Sequence, residues 1–429
     1  MRIGLLGPCG RRDLGDAAIR EAVVAAIRRY QPGATVTDIP PARELTSARD
    51  RAETPQANPR SAARERDEGS RGRAMLNRLH RARNPVTRIA CRCVTAPVDE
   101  AIGVLRAARF VSGLDLLMVP GESGMDDAAG GPWQRPYSLV RWAVLARLVG
   151  TPVAFVSIGG GSIGSLASRT FARAALSLAT YRSYRDLPSR TQVAEVTGFR
   201  RDDPVVPDLA YSLPADFLPG HTADTAGRVR PVAIGPISST SRHGHAAHRQ
   251  YIDRLAAVAA ALARESYPIA LFPGDATYDG RTIDRVREAA LRLLPPDLHY
   301  RVAVVETATL ADVLTCMAQA DYVITFRYHS ALLAHLLGKP TLALARPGAI
   351  RRLMRDAGVG EYCLDIERAA PEEILGAFAA LERERVNVQE RLAAYTTACR
   401  GILERQYREL FSGRTLGPET VPGRRRGLA

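Results

Sequence analysis

Tyr322-Val323-Ile324-Thr325-Phe326-Arg327-Tyr328-His329-Ser330, running on into Ala331-Leu332-Leu333-Ala334-His335-Leu336-Leu337, is the stretch around which the chain is organised. Its first part is a short apolar run that reads as a buried strand, and its second part reads as a helix. A guanidinium and an imidazole two positions apart fall at the junction. Ligands gather at such strand ends in open α/β sheets, because the first N–H groups of the helix are unpaired and its dipole favours negative charge. Arg327 and His329 are therefore candidates for an anion site, whereas His335, further along the helix, reads as core.

Outward from this stretch the strand-then-helix pattern repeats. Strands are expected at 232–235, 269–274, 302–306, 340–344 and 362–365, with helices at 251–264, 282–294, 310–319 and 350–355 and a long, broken helix from 371 to about 410. The loop 238–248 carries Arg242, His243, His245 and His248. The order His-x-His-x-x-His lacks helical i, i+4 placement, so no metal is expected. Arg242 stays as a weaker candidate for a second anion contact.

The first half shows the same alternation. A strand at 1–7 leads through a glycine-bearing loop to a helix at 17–30, with Ile19, Val23 and Ile27 on one face. Gly7, Gly10 and Gly15 do not give the dinucleotide fingerprint, and the loop reads equally as a tight turn or as a ligand-facing segment that includes Asp16. Strands follow at 36–39, 114–119, 152–158 and 205–211, and a strand at 181–184 turns into a capped helix. Gly159-Gly160-Gly161 would let a ligand approach the backbone and would leave N–H groups for a phosphate or carboxylate. Arg185 and Asp186 read either as substrate contacts or as a structural ion pair, and Asp208 lies near a strand end.

These elements divide into an N-terminal Rossmann-like domain at 1–217, a C-terminal one at 230–370, a helical segment at 371–412 and a basic tail at 413–429. An Arg-rich insertion at about 43–92 lacks periodicity and is expected to be largely disordered. The stretch near 218–230 reads as the linker. The expected fold is α/β, two Rossmann-like domains in a GT-B-like arrangement with a C-terminal helix.

A chain of 429 residues suits two such domains. It has no apolar run of membrane-spanning length, and its opening reads as a strand rather than a signal peptide, so a soluble cytoplasmic protein is expected. Cys9, Cys91, Cys93, Cys316, Cys363 and Cys399 are spaced for neither a zinc ribbon nor a redox pair and read as free thiols. The net charge of +14 comes almost wholly from arginine, Lys339 being the only lysine. Without an RNA-binding signature, a zinc finger or an aromatic-interleaved basic stripe, nucleic acid is not an expected partner. Attraction to anionic lipid or anionic substrates fits the charge better.

Several motifs resemble those of the polysaccharide pyruvyl transferase family. They are Gly7-x-x-Gly10-x-x-x-Leu14-Gly15-Asp16-x-Ala18-Ile19, the strand into Gly159-Gly160-Gly161, Tyr184-Arg185-Asp186 with Ser189, Pro207-Asp208, Arg327-x-His329 before an alanine-rich helix, Gly338-Lys339-Pro340, and Tyr362-Cys363-Leu364-Asp365. The resemblance implies transfer of the enolpyruvyl carbons of phosphoenolpyruvate onto two hydroxyls of a sugar, releasing phosphate and forming a cyclic pyruvate ketal, with no cofactor. It implies Arg327 as the fork for the donor's anionic groups and His329 as general acid/base or donor to the leaving phosphate. The acceptor would be a sugar carried on a lipid, nucleotide or polymer; work at the inner face of a membrane and a homo-oligomer both stay open. Asp13, Tyr328 and Arg346 stand where the family commonly has Asn, Leu and Tyr. A GT-B glycosyltransferase or related sugar-nucleotide enzyme, and a non-catalytic binding protein on the same fold, are the alternative readings.

Overall fold

The computed structural model describes residues 1–7, 14–39, 103–121, 125–127, 130–161, 163–220, 230–238, 244–275 and 278–412. The Arg-rich insertion, the basic tail, most of the linker, Arg242, His243 and Cys9, Cys91 and Cys93 lie outside these residues.

The first sheet is built from β1 (Arg2–Leu6), β2 (Thr35–Ile39), β3 (Leu116–Pro120), β4 (Val153–Ile158) and β5 (Tyr181–Tyr184). Its helices are α1 (Leu14–Tyr30), α2 (103–112), α3 (Arg135–Val149), α4 (Leu166–Leu178) and α5 (Leu187–Thr197). The strands lie parallel in the order β2-β1-β3-β4-β5. β3 and β4 are buried along their whole length, as near-continuous apolar runs covered by helices on both faces should be.

The second sheet contains β6 (Val232–Gly235), β7 (Ile269–Leu271), β8 (Val302–Val304), β9 (Tyr322–Thr325), β10 (Thr341–Leu344) and β11 (Cys363–Leu364). Between them run α6 (Gly244–Arg264), α7 (Gly280–Leu293), α8 (Leu310–Gln319), α9 (Tyr328–Leu336) and α10 (Ala349–Asp356). All strands are parallel, in the order β11-β10-β9-β6-β7-β8. The order reverses between β6 and β9, where Gly235 pairs with Thr325, so Arg327 emerges at the switch point where ligands collect in such sheets.

Two local differences from the sequence expectation matter. The segment after Val205 makes only an isolated bridge to Tyr184 and then a 3-10 turn at Leu209–Ser212, capped by the Asp208 carboxylate on the Ala210 N–H at 3.0 Å. A short polar side chain there competes with strand pairing by bonding its own backbone. The loop expected at 238–248 gives way to helix at Gly244, which puts His248 inside α6.

The chain closes with α11 (Pro371–Arg383) and α12 (Arg385–Phe411). The sequence suggested a break in this helix without its position, and it falls at Glu384. α12 begins against the second domain through Val388 and Leu392 and ends against the first, where Tyr30 meets Tyr407 and Phe411. Gln406 Oε1 there accepts from the Tyr181 and Ser183 hydroxyls. One apolar cluster joins Ile19 and Val23 of α1, Leu209, Leu332 and Leu333 of α9, and Leu403 of α12. The two domains thus share a core, and a large apolar interface of this kind holds relative domain positions more firmly than a polar one. No described helix is long and apolar enough to cross a membrane.

Candidate functional site

Arg327 is the second residue after β9 and immediately precedes α9, where its N–H donates to Thr325 Oγ1 at 3.3 Å. Its guanidinium does not stand open as the sequence suggests. Nε and Nη2 make two parallel bonds to Asp279, at 3.0 Å to Oδ2 and 2.7 Å to Oδ1. Asp279 is fully buried and also accepts from the Ser238 and Asp275 backbone N–H groups at 2.9 and 2.8 Å. The guanidinium lies against Gly274, where a Cβ would come within 2.4 Å of Arg327 Cδ. One edge of the fork is therefore spent on positioning, and Nη1 with the second Nη2 hydrogen is the edge left to meet an anion.

His329, in the first turn of α9, faces the other domain. Its Nε2 lies 3.7 Å from Asp208 Oδ2, an ion-pair rather than a hydrogen-bond distance. Its Nδ1 lies on the side of Gly15 in α1, where a Cβ would sit 1.9 Å away. Only glycine permits this approach. Asp208 also lies 3.6 Å from Arg185 Nη1. Burial opposes its ionisation, yet His329, Arg185 and the Ala210 N–H together outweigh that cost and hold the carboxyl below the usual carboxylate range.

Arg185, buried at the end of β5, links the domains again. Its guanidinium carbon stands 4.6 Å over the Tyr328 ring, and Nε lies 3.8 Å from Asp186 Oδ2. Asp186 caps α5 through the Ser189 N–H at 2.7 Å and lies 3.6 Å from Arg352 Nη2 on α10. The structure thus brings His329, Arg185, Asp186, Asp208 and Gly15 together between the domains, whereas the Arg327 guanidinium is held by Asp279 within the second domain. Asp16, beside Gly15, is half-buried in the first turn of α1.

The glycine loop packs against the protein as well as bordering the site. A Cβ on Gly160 would meet Gln192 and Ser189 of α5, and one on Gly161 would meet Asp126 at 2.9 Å, so protein neighbours use their smallness. Gly159, at the end of β4, is buried. The N–H groups that open α4 are also occupied. Asp127 accepts from Gly164 and Ser165, and these bonds hold its carboxyl far below the usual range.

A family model described as polysaccharide pyruvyl transferase matches residues 13–347. The chain belongs to that family. No curated protein matches it significantly. Among solved structures, this pyruvyl transferase family member is similar to UDP-GlcNAc 2-epimerase from Neisseria meningitidis bound to UDP-GlcNAc. The TM-score is 0.53 at 11% identity, covering 95% of this chain and 99% of that one. It is also similar to a glycosyltransferase from Rickettsia africae (TM-score 0.54, 11% identity, 97% and 99% covered) and to the S. aureus MnaA–UDP co-structure (0.54, 12%, 95% and 96%). At such identities the likeness is one of fold, two parallel-sheet α/β domains of GT-B type with a helical C-terminus.

Sequence reasoning missed Asp279, Arg352 and Ser157; the carboxylates of the strand end at 120–127, Asp127 among them, read equally as a substrate rim or an ordinary loop. For Asp279 a signal existed in Pro273-Gly274-Asp275, a strand end followed by a second carboxylate before a helix. Ser157 gave none, because its backbone conformation (φ 52°) is visible only in three dimensions. Among the described residues no His, Cys, Asp and Glu group is arranged to hold a metal. His335 is buried, as expected, and burial pushes its imidazole down to about 3. Cys316, Cys363 and Cys399 are buried free thiols.

Proposed function

We propose that the protein moves the enolpyruvyl group of phosphoenolpyruvate onto two hydroxyls of a sugar in a cell-surface polysaccharide or its precursor. The observation that carries this reading is the run Arg327-Tyr328-His329 at the switch point of the second sheet, with Arg185 of the first domain over the Tyr328 ring and Asp208 between Arg185 and His329, in a chain of the pyruvyl transferase family. Phosphoenolpyruvate presents a carboxylate and a phosphate on one small frame, which calls for guanidinium donors close together.

In this reaction C3 of the enol takes a proton, and C2 becomes an oxocarbenium-like centre. One sugar hydroxyl adds to C2, the C2–O bond to phosphate breaks, and the second hydroxyl closes the ring. Of the two hydroxyl protons released, one balances the proton taken by C3 and the other leaves with phosphate. His329 suits the proton transfers, since an imidazole exchanges protons near neutral pH. The remaining edge of Arg327 holds an anionic group of the donor, with Arg185 as the second contact; Asp186, Asp208 and Asp16 lie on the side of Arg185 and His329. The glycines at 159–161 shape the loop beside it. Arg242 remains a weaker candidate for an anion contact. The scheme uses no cofactor and no metal, and runs in the cytoplasm or at the inner membrane face on a lipid- or nucleotide-linked sugar.

Phosphate release from phosphoenolpyruvate with a panel of candidate acceptors, followed by mass spectrometry for the added pyruvyl group, tests the proposal. Its alternative, a sugar-nucleotide enzyme, draws support from the UDP-GlcNAc-bound relative of the same fold. Tight binding of a sugar nucleotide by calorimetry, with no response to phosphoenolpyruvate with or without acceptor, would overturn the transferase reading.

A further inference from the structure

We propose that Asp208 is the positioning residue of this site: its carboxylate, reaching across from the first domain, sets the orientation and charge of His329, with Ser157 clamping the segment that carries it. The inference deepens the reading of His329 given above and rests on it only for its catalytic consequence.

Three observations carry it. Asp208 is 2% exposed, and a carboxylate so buried needs charged or hydrogen-bonded partners. Its Oδ1 takes the Ala210 N–H, while Oδ2 lies 3.7 Å from His329 Nε2 and 3.6 Å from Arg185 Nη1. Arg185 is shared with Asp186 and the Tyr328 face, which leaves His329 as the second cation that Asp208 can recruit.

The backbone is bent to deliver this carboxylate. Ser157, 1% exposed on β4, sits at φ 52°, a conformation that costs a non-glycine residue about 1 kcal/mol or more. Its hydroxyl faces the Val206 and Pro207 carbonyls, at 3.1 and 2.8 Å, and its own N–H donates to Ser183 Oγ at 2.7 Å. These bonds fix the two residues immediately before Asp208. Strain of this kind persists where surrounding structure over-determines it.

Opposite Asp208, Gly15 closes on the Nδ1 side of the ring, so the imidazole is held between a carboxylate on Nε2 and helix α1 on Nδ1. A buried carboxylate 3.7 Å from Nε2 favours the charged imidazole, and the ring, fixed between Asp208 and α1, is kept in one orientation, an orienting role carboxylates take towards catalytic histidines.

The other charges around the ring are Asp16 beside Gly15, Arg185 with Asp186 and Arg352, and Arg327 on the same segment, neutralised by Asp279. Tyr211, Tyr395 and Cys399, which approach Asp208, are pushed above their ordinary values by burial and are uncharged at neutral pH.

Nitrogen-15 NMR of the full-length protein labelled at histidine, with His329 assigned from H329Q, tests the inference without any substrate. In the wild-type chain His329 should stay charged to a pH above that of an unperturbed imidazole, about 6.5. In D208N its midpoint should fall by about one pH unit or more, with circular dichroism unchanged. Ser157→Ala, which removes no charge, should give a smaller fall and keeps the test open if D208N does not fold. A wild-type midpoint at or below the ordinary value would overturn it, as would an unchanged midpoint in a folded D208N. Where phosphate release is observed, the alkaline limb of its pH profile should move to lower pH in D208N. If no phosphate is released by the wild type, the transferase reading fails while the NMR result still decides the role of Asp208.

Discussion

Arg327 and Asp279 meet in a bidentate pair inside the second domain, with Nε 3.0 Å from Oδ2 and Nη2 2.7 Å from Oδ1. The guanidinium proposed to grip the donor is thereby aimed by a carboxylate with four donors of its own. Arg327 is both a candidate substrate contact and the charge partner of a fully buried acid, so its removal has two consequences.

Arg327→Ala should abolish phosphate release and also destabilise the fold, by roughly 3–5 kcal/mol, because Asp279 is left buried without its cation. Arg327→Lys should recover part of the stability and little of the activity, since an ammonium cannot reproduce two parallel bonds. Urea unfolding beside a phosphate-release assay measures both; full stability in the alanine variant would show that the pair does not hold the fold.

Gly15→Ala places a Cβ where His329 Nδ1 now lies. The helix itself tolerates alanine well, so the cost should come from overpacking, about 1–3 kcal/mol, and from a displaced imidazole. We expect a fall in phosphate release of at least tenfold with unchanged helix content by circular dichroism.

Tyr328 supplies the face beneath Arg185, with the guanidinium carbon 4.6 Å from the ring centre. Replacing it by phenylalanine keeps that face, whereas leucine removes an interaction worth about 0.5–2 kcal/mol. Y328L should raise the KM for phosphoenolpyruvate several-fold and Y328F should change it little; equal effects would show that the hydroxyl matters rather than the ring.

His335 is buried in α9, and neither ring nitrogen has a hydrogen bond among the described residues. Its folded value, about 3, lies below the ordinary imidazole value. The unfolded chain therefore binds a proton that the folded chain refuses, and stability present above about pH 6.5 is lost as pH falls from there towards 3. His335→Leu should be more stable relative to wild type as pH drops below that point, by up to about 1.4 kcal/mol per pH unit. Denaturant titrations at pH 8, 6 and 5 would read the difference, and a constant offset would refute the assignment.

The alternation of strands and helices, the restart of the pattern after 230 and the broken terminal helix were all legible in the sequence. Buried parallel strands are short apolar runs punctuated by glycine and proline, and the chain shows them plainly. The family motifs pointed to Arg327, His329, Arg185 and Asp208 in the same way. What could not be read was their mutual arrangement. Asp279 lies 48 residues from Arg327, and a carboxylate near a strand end gives no sign of which cation it will meet. Glycine serves close packing as readily as ligand binding, and the packing of Gln192, Ser189 and Asp126 against Gly160 and Gly161 had no sign in the sequence.

The sequence by itself determined the fold class and the residue types at the strand ends, because periodicity and turn chemistry act over a few neighbours. Tertiary structure alone decided that Asp208 of one domain faces His329 of the other, that Gly15 makes room for that ring, and that Asp279 aims Arg327. Those relationships depend on a core shared by α1, α9 and α12, and contacts between segments far apart in the chain are set by packing rather than by local preference.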